Sequence, residues 1–508
     1  MAEPAAPNLA NIQGNILGGF NKDFQSFLFL HFSDRDKGRA WLEHMAPEIA
    51  TSEEVVAFNT LFKQANRRRG HEYGILKATW TNIAFTASGL KALGVPDAEI
   101  ATFSEAFRQG MKARAATPFP TPPFPPASLG DEGDSDPSHW IAPLGSKDVH
   151  AILHVASDSH ADLHATVARY VQNLDFNGTV KRLFTQEGIV RQDEPGHEHF
   201  GFKDGVSQPG IRGVDLPRPG GNPNEGNPGQ DLLWPGEFVL GYPTQIDGPD
   251  TVNTPPVVPN PNPGPVSKSG PPWAADGSYL VFRRLRQDVA GFHAQLHQLA
   301  PANGLDPRVF AAKLVGRYHS GCPLEPLKGQ PQGHDAPDDP AVGADSLRNN
   351  NFEYGGDPAG NAVPRASHIR KTYPRDEDTP GGGENNTQKR RLLRRGVPFG
   401  LSLNLNAPAP HDSGDRGLLF LCYQSSIEEQ FEFVQKIWVN NSGFPQGGDG
   451  EDPIIAQSKT GLFACPGANP ANIPALKHFV TTTGGDYFFQ PSISALYHIA
   501  GVPQPLGA

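Results

Sequence analysis

The chain contains few cysteines and lacks any long apolar run. Its 508 residues include three cysteines, Cys322, Cys422 and Cys465, which are too few and too scattered for a disulfide framework or a zinc cluster. No apolar stretch approaches the length of a membrane span. The first residues contain neither a basic region nor an apolar core, so no signal peptide is visible. We therefore expect no membrane span, and either a cytoplasmic or non-classically exported protein or, for a mature form, a secreted one.

Basic residues are in the minority. The formal net charge is -11, and hydrophobic residues make up 37% of the sequence. Because a nucleic-acid partner requires a basic face, this balance argues against nucleic acid as the main ligand. Glycine (56) and proline (51) are abundant, which indicates long irregular connections around a folded core rather than a disordered chain.

Most of the common catalytic signatures are missing. The sequence contains no GxGxxG after a strand, no Walker loop, no GxSxG elbow, no HExxH and no CxxC. Its chemistry must therefore come from other stretches.

Hydrophobic periodicity predicts an α+β fold with antiparallel sheets. In the first part, helices that begin after Asp34 and Ser159 separate four strand-like runs in the order strand, helix, strand, strand, helix, strand, which is the ferredoxin-like pattern. These runs cover 26–33, 75–86, 148–157 and 179–191.

The second part repeats strand-then-helix units with longer insertions. Strands are predicted over 278–285, 416–424 and 485–491, and Ser425 with Glu428 is a plausible capping box for a helix. We therefore expect two α+β halves, residues 1–200 and 201–508, that share one interface, where ligands often bind.

A glycine-rich loop, GHEHFGFKDGVSQP, spans residues 196–209. Such a loop can hold one carboxylate, Asp204, in a chosen position. If Phe200 and Phe202 press against this acid, desolvation raises its pKa towards the range that is useful for proton transfer. The alternative is a glycine turn with a surface aspartate.

Two histidines in the same loop allow a different interpretation. On an extended segment, His197 and His199 face one side and could bind a metal together with Glu198 or Asp204. No further histidine or cysteine stands at a matching spacing, which disfavours this site.

Two basic stretches carry further candidates. His368 stands among arginines in SHIRKTYPR; a neutral imidazole is a good ligand for haem iron, and arginines can neutralise propionates. In KRRLLRRG, the neighbouring leucines suggest that Arg394 turns inward beside a reacting oxygen. Both stretches could instead be solvated surface.

Two apolar stretches complete the candidate site. Arg416–Phe420 is either core or a wall for a flat cofactor. Asp452 precedes an apolar run and is either a strand-end cap or a buried acceptor for a histidine proton, which would make that imidazole a stronger donor to a metal.

Together these stretches resemble the dye-decolorising peroxidase family. The similarity covers nearly the whole chain, in family order: NIQGNIL, GFKDGVSQP, PGEFVLGY, VGRYHSG, HIRK, LLRRG, RGLLF and GGDYFF. It implies two ferredoxin-like halves that enclose one haem b per chain.

The resemblance also implies a role for each candidate residue. Asp204 corresponds to the distal acid–base residue and Arg394, rather than Arg395, to its partner, whereas His368 corresponds to the proximal ligand of the haem iron. Further matches are Arg370 as a propionate partner, Leu418 and Phe420 as the apolar distal wall, and Asp452 as the proximal carboxylate.

The implied activity is reduction of hydrogen peroxide and oxidation of dyes and phenols through a ferryl intermediate. Trp438 corresponds to a surface electron relay, although its position in an apolar helical stripe equally predicts core packing. The acidic charge permits Mn(II) binding, but no residue set stands out. Removal of iron from haem and haem binding without turnover are the alternative functions, and the sequence leaves the oligomeric state open.

Overall fold

The computed structural model describes residues 6–69, 76–115, 129–405, 414–457, 461–469, 471–473 and 476–505. The strands are β1 Phe24–Phe32, β2 Thr79–Phe85, β3 Ala151–Ser157, β4 Val180–Ile189, β5 Gly210–Ile211, β6 Leu232–Leu233, β7 Pro243–Gln245, β8 Pro263–Val266, β9 Ser278–Gln287, β10 Leu393–Arg394, β11 Val397–Phe399, β12 Gly417–Gln424, β13 Phe463–Ala464, β14 Asn472–Ile473 and β15 Val480–Gln490.

The helices are α1 Gly14–Leu17, α2 Arg35–Met45, α3 Ser52–Arg69, α4 Ala87–Ala92, α5 Asp97–Ile100, α6 Glu105–Gln109, α7 Met111–Ala115, α8 His160–Asn177, α9 Val289–Ala302, α10 Pro307–Val315, α11 Pro340–Ala344, α12 His368–Thr372, α13 Glu384–Gln388 and α14 Ile493–Ala500. Two further helical stretches, Ile427–Glu432 and Val434–Val439, have π-helical hydrogen bonding.

One large antiparallel sheet organises the molecule. Its strand order is β10-β12-β9-β15-β2-β3-β1-β4, and β11 also pairs with β12. The order β4-β1-β3-β2 is that of a ferredoxin-like unit, and β15-β9-β12-β10 repeats it. The two units join where Phe489 of β15 pairs with Phe85 of β2. The predicted fold class, α+β with two ferredoxin-like halves, is confirmed.

The two ends of this sheet approach each other. A Cβ atom added to Gly188 of β4 would lie 2.5 Å from Cγ1 of Val397 in β11. Such close contact requires glycine and brings the edge strands together, as in a barrel. Strands β1 to β4 precede residue 200, and the other strands of the sheet follow it; the division into residues 1–200 and 201–508 stays a prediction.

Alternation along the strands separates the two faces of the sheet. Leu28 and Leu30 of β1 pack with the helix residues Leu42 and Leu163 in one core cluster. Phe27 projects from the opposite face of the sheet, where it packs in a second core cluster. Since successive strand side chains point to opposite faces, both faces of β1 are buried.

Helix caps follow the predictions with one exception. Asp34 accepts a hydrogen bond from Lys37 N at 3.0 Å, and Ser159 Oγ accepts one from Asp162 N at 3.3 Å. The predicted capping box at Ser425 is wrong by one residue, because Ser426 Oγ accepts the bond from Glu429 N. Glu428 instead accepts a bond from Ala106 N at 2.8 Å, which ties this helix to α6.

Strand boundaries differ from the predicted ones by a few residues. The run predicted over 75–86 forms a strand from Thr79, and its first residue lies outside the described part of the chain. The run predicted from 485 begins at Val480. Strands β10 and β11 were not predicted, because two or three residues are too few to show a period.

Candidate active site

The second half of the large sheet forms one wall, here called the floor, of a cavity. Arg283 and Leu285 of β9 pair with Phe420 and Leu418 of β12, and all four side chains line the cavity. They share one face because each strand contributes alternate residues. The structure therefore places the predicted apolar wall, Leu418 and Phe420, on the cavity.

An imidazole borders the same cavity. His368 is the first residue of α12, and its Nδ1 atom donates a hydrogen bond to Oδ2 of Asp452 at 2.8 Å. Asp452 is fully buried, and its Oδ1 accepts the backbone N–H groups of Ile454 and Ile455. With Nδ1 carrying the proton, the Nε2 atom is left as the electron-pair donor.

Hydrogen bonds stabilise the negative charge of Asp452. Burial raises the pKa of its carboxyl group, but the interaction with His368, which includes the hydrogen bond from Nδ1, and the N–H groups of Ile454 and Ile455 outweigh burial and lower the pKa overall. Asp452 is therefore an anion that fixes the tautomer and orientation of His368. Of the two predicted alternatives, the structure shows the histidine acceptor, and Asp452 also bonds to its own loop.

Glu198 anchors the loop 196–209. Its buried carboxylate accepts the backbone N–H groups of Phe200 at 2.9 Å and Phe202 at 2.8 Å, and the side chain of Gln287. Burial raises the pKa of Glu198, against the lowering effect of these three hydrogen bonds. The loop is thus tied through one acid to strand β9, an anchor that the sequence analysis missed.

Asp204 projects from this loop into the cavity. Its backbone N–H donates to Gly196 O, and Gly205 N donates to Asp204 Oδ1 at 2.6 Å. The φ angle of Gly205 is 70°, a left-handed conformation that favours glycine. The side chain lines the cavity and is 35% exposed, so the carboxylate is available to a small ligand.

Phe200 and Phe202, the two rings expected to desolvate Asp204, lie between a core cluster and the cavity. Phe200 and Phe202 belong to a core cluster, where Phe200 stacks on Phe292 with ring centroids 4.3 Å apart. Both phenylalanines also line the cavity that Asp204 borders, so desolvation of Asp204 by these rings stays a prediction.

Arg394 faces Asp204, whereas Arg395 faces away. The Nη1 atom of Arg394 lies 3.5 Å from Asp204 Oδ1, and its Nη2 atom donates to Ser207 O at 2.7 Å. Gln208 clamps the backbone of Arg394 by accepting from its N–H at 3.2 Å and donating to its carbonyl at 3.0 Å. Arg395 donates instead to the backbone carbonyls of residues 15 and 16. Arg395 directly follows Arg394, the last residue of β10, and successive residues of an extended chain point to opposite sides, which explains the difference.

The predicted propionate partner, Arg370, is wrong. Its guanidinium is fully buried and donates to both carboxylate oxygens of Glu377 and to the carbonyls of Val363 and Asp357. It also lies 4.6 Å from the ring of Tyr354. These partners occupy the donors of Arg370 away from the cavity.

Four other arginines line the cavity: Arg317, Arg375, Arg390 and Arg391. Arg375 donates to Asn350 Oδ1 at 2.6 Å, and Arg317 donates to the same oxygen at 3.0 Å. Arg391 Nη1 has no hydrogen-bond partner among the described residues. Burial lowers the pKa of Arg317 to about 9, with a further contribution from Arg375. This concentration of positive charge favours an anionic ligand.

Trp438 lies in the core. It is 2% exposed, stacks on Phe444 with centroids 5.4 Å apart, and meets Phe433 edge-on at the same separation. From this helical segment, Phe431, Val434 and Gln435 line the cavity. A surface position for Trp438 is therefore wrong, because its apolar stripe packs inward.

The two loop histidines do not converge on one metal position. His197 Nε2 lies 3.1 Å from the carbonyl oxygen of His319, whereas His199 Nε2 lies 2.9 Å from that of Phe399. His199 is buried, and burial lowers its pKa to about 4. Each imidazole is thus engaged with a different backbone carbonyl, and the predicted alternative metal site is wrong.

The remaining sequence expectations concern cysteines and membranes. All three cysteines are buried and free. Among the helices of the described residues, none has both the length and the apolar character needed to cross a membrane.

Two family descriptions match the chain. Residues 11–192 match the family described as "DyP dimeric alpha+beta barrel domain", and residues 326–470 match "Dyp-type peroxidase, C-terminal". The chain belongs to the dye-decolorising peroxidase family. It is therefore a peroxidase of a haem-dependent family, and the predicted enzyme class is confirmed.

Relatives of the dye-decolorising peroxidase family match over nearly the full length. Dye-decolorizing peroxidase msp1 of Mycetinis scorodonius is 32% identical over 98% of this chain and 88% of its own. A solved dye-decolorizing peroxidase in complex with 2,6-dimethoxyphenol is 31% identical, with a TM-score of 0.76 over 97% of this chain and 99% of the other. A deferrochelatase of Yersinia pestis is 30% identical over only 33% of this chain and 29% of its own.

Proposed function

We propose that the cavity holds one haem b per chain, with the Nε2 atom of His368 as the protein ligand of the iron. The donor set fits such a group, because Asp452 engages Nδ1 and leaves Nε2 free for a metal. The floor supplies the apolar surfaces of Leu418 and Phe420 that a flat macrocycle requires. Haem held by a histidine supplies the redox chemistry with peroxide.

We infer that Arg375 and Arg391 bind the carboxylates of the haem. Both line the cavity, and the buried Nη1 atom of Arg391, which lies 3.9 Å from Oδ2 of Asp231, has no hydrogen-bond partner among the described residues. A buried donor without a partner is costly, and a carboxylate would satisfy it with a charge-assisted hydrogen bond. These two residues replace Arg370 in the role expected from the sequence.

Asp204 is the proposed acid–base residue. Its carboxylate takes a proton from one oxygen of hydrogen peroxide and returns it to the other, so that water can leave. Arg394 stabilises the negative charge that develops as the O–O bond breaks. The observation that carries this proposal is that Asp204, Arg394 and His368 border one cavity.

Asp452 acts through His368. Its Oδ2 atom accepts a hydrogen bond from Nδ1 of His368, at 2.8 Å. This bond increases the electron density of the imidazole and holds the ring in one orientation. We call Asp452 a positioning residue, because its carboxylate touches the ligand of the iron and not the reacting oxygens.

The proposed reductants are dyes and phenols. This assignment follows the dye-decolorizing names of the relatives and the solved relative bound to 2,6-dimethoxyphenol. Oxidation of Mn(II), electron relay through Trp438 and the cellular compartment remain predictions from the sequence.

Steady-state oxidation of an anthraquinone dye and of 2,6-dimethoxyphenol by peroxide tests this function. We expect His368→Ala to lower the Soret absorbance per chain and to abolish oxidation of both substrates. Because a carboxylate accepts protons at lower pH than an imidazole, turnover by the wild type should peak in acid. A maximum well above neutrality would contradict the assignment of Asp204.

The same preparation separates the alternative functions. Release of iron from haem without dye oxidation would indicate iron removal, and a stable Soret band with no turnover would indicate a haem carrier. The match to a deferrochelatase covers only a third of the chain, and a carrier does not require the pair Asp204 and Arg394.

A further inference from the structure

Two histidines and one glutamate converge on the outer surface of the first half. His160 and His164 lie in the first turns of α8, and Glu187 lies near the end of β4. Residues four apart in a helix project from the same face. Helix α8 packs against β4, which brings the third side chain beside the histidine pair.

The potential ligand atoms are close to one another. The Nε2 atoms of His160 and His164 are 2.9 Å apart, and Oε1 of Glu187 lies 3.9 Å from Nε2 of His164. One ligand atom from each of the three residues lies within 4.8 Å of the other two. Among the described residues, this is the group of three metal-ligating side chains that the fold brings together.

We propose that His160, His164 and Glu187 bind a divalent transition-metal ion of the zinc type. Two imidazoles and one carboxylate form a recurrent ligand set for zinc, and a water completes its coordination. The three side chains come from two elements, so the ion would tie the start of α8 to β4.

The distances agree with metal bond lengths. Bonds of about 2.1 Å at the tetrahedral angles of zinc place two ligand atoms about 3.4 Å apart. The two histidine Nε2 atoms, which are 2.9 Å apart, need to separate by only about half an ångström to reach this spacing. Glu187 reaches it by a small side-chain rotation, which is possible because its side chain is 53% exposed.

The site is separate from the haem cavity. None of its three residues lines that cavity, and all three are exposed to solvent. A metal ion can therefore enter without passing the redox centre. If no ion binds, the arrangement is simply a surface hydrogen bond between two imidazoles, in which one nitrogen donates to the other.

Zinc titration of the tag-free holoenzyme by isothermal calorimetry tests the proposal. We expect one saturable zinc ion per chain and a rise in the thermal midpoint that saturates at the same concentration. His164→Ala should weaken binding at least tenfold, and Glu187→Gln should weaken it less. His297→Ala removes an exposed histidine from α9 and should leave binding unchanged.

Two results would overturn the proposal. One is the lack of saturable binding at one ion per chain in the wild type. The other is binding by His164→Ala that equals the wild type, which would place the zinc elsewhere. Because the substituted side chains are exposed, circular dichroism and the Soret band should be unchanged, and a loss of binding would not reflect unfolding.

Discussion

Arg394 Nη1 lies 3.5 Å from Oδ1 of Asp204, although 190 residues separate the two in the sequence. The same guanidinium donates to the carbonyl of Ser207, and the side chain of Gln208 bonds to both backbone groups of Arg394. The loop and β10 are therefore one rigid unit, in which a cation stands beside the proposed proton carrier.

The neighbouring arginines should respond differently to substitution. Arg394→Leu should slow the reaction with peroxide by about 10²–10³-fold, because it removes a charge that stabilises the transition state. Arg395→Leu should leave that rate nearly unchanged but destabilise the fold by about 1–3 kcal/mol, since two buried carbonyls lose their donor. Stopped-flow mixing and thermal unfolding measure the two effects. A slower reaction in Arg395→Leu and an unchanged one in Arg394→Leu would reverse the assignment.

Asp452→Asn should weaken haem retention. The side-chain oxygen of asparagine accepts a weaker hydrogen bond from Nδ1 of His368 than a carboxylate does, so the affinity for haem should fall by about 10–100-fold. Transfer of haem to excess apomyoglobin measures this change. Asp449→Asn is the matched control, because Asp449 is a buried acid that pairs with Arg365 and not with His368. Equal haem loss from both variants would indicate a general loss of structure.

Trp438→Phe distinguishes a relay from core packing. Burial between Phe433 and Phe444 predicts a loss of roughly 1–3 kcal/mol in stability, with the ratio of dye to phenol turnover unchanged. A relay predicts the opposite pattern, with dye oxidation suppressed and phenol oxidation spared. Parallel assays with an anthraquinone dye and 2,6-dimethoxyphenol give the ratio directly.

Asp486 should make stability depend on pH. It lies in β15, and burial raises its pKa to about 7, against the lowering effect of the N–H groups of Tyr487 and Met111. Because the folded-state pKa exceeds the unfolded value, its stabilising contribution is fully present below about pH 3.8 and is lost as pH rises to about 7.

The isosteric Asp486→Asn lacks this titration. Its thermal midpoint relative to wild type should therefore rise between pH 4 and pH 8, by an amount equivalent to about 4 kcal/mol. Asp134→Asn, which changes an exposed acid, should show no such trend. A constant difference between Asp486→Asn and wild type would mean that Asp486 is ionised throughout this range.

Local sequence was sufficient for the main elements of the fold. Strand β1 and the helix after Asp34 show their period and cap within a few residues, so both could be predicted. Strand β10 has two residues, and its existence depends on pairing with β12. No local pattern indicates such a strand.

The site was harder to predict where the role of a side chain depends on contacts with residues distant in the sequence. The sequence places Arg370 and Arg375 in the same basic stretch, and only the fold shows that Glu377 and Asp357 bind the first while the second faces the cavity. Glu198 looked like a possible metal ligand, yet it anchors its own loop through two backbone N–H groups. Such roles depend on backbone geometry, which sequence spacing does not show.

The reaction of Asp204→Asn with peroxide tests the central claim most directly. Wild type and variant are compared by stopped-flow mixing at equal haem content, as judged by the Soret band. If Asp204 carries the proton between the peroxide oxygens, the variant should react about 10²–10⁴-fold more slowly while its haem content stays unchanged. A rate within about twofold of the wild type at equal haem content would contradict the assignment.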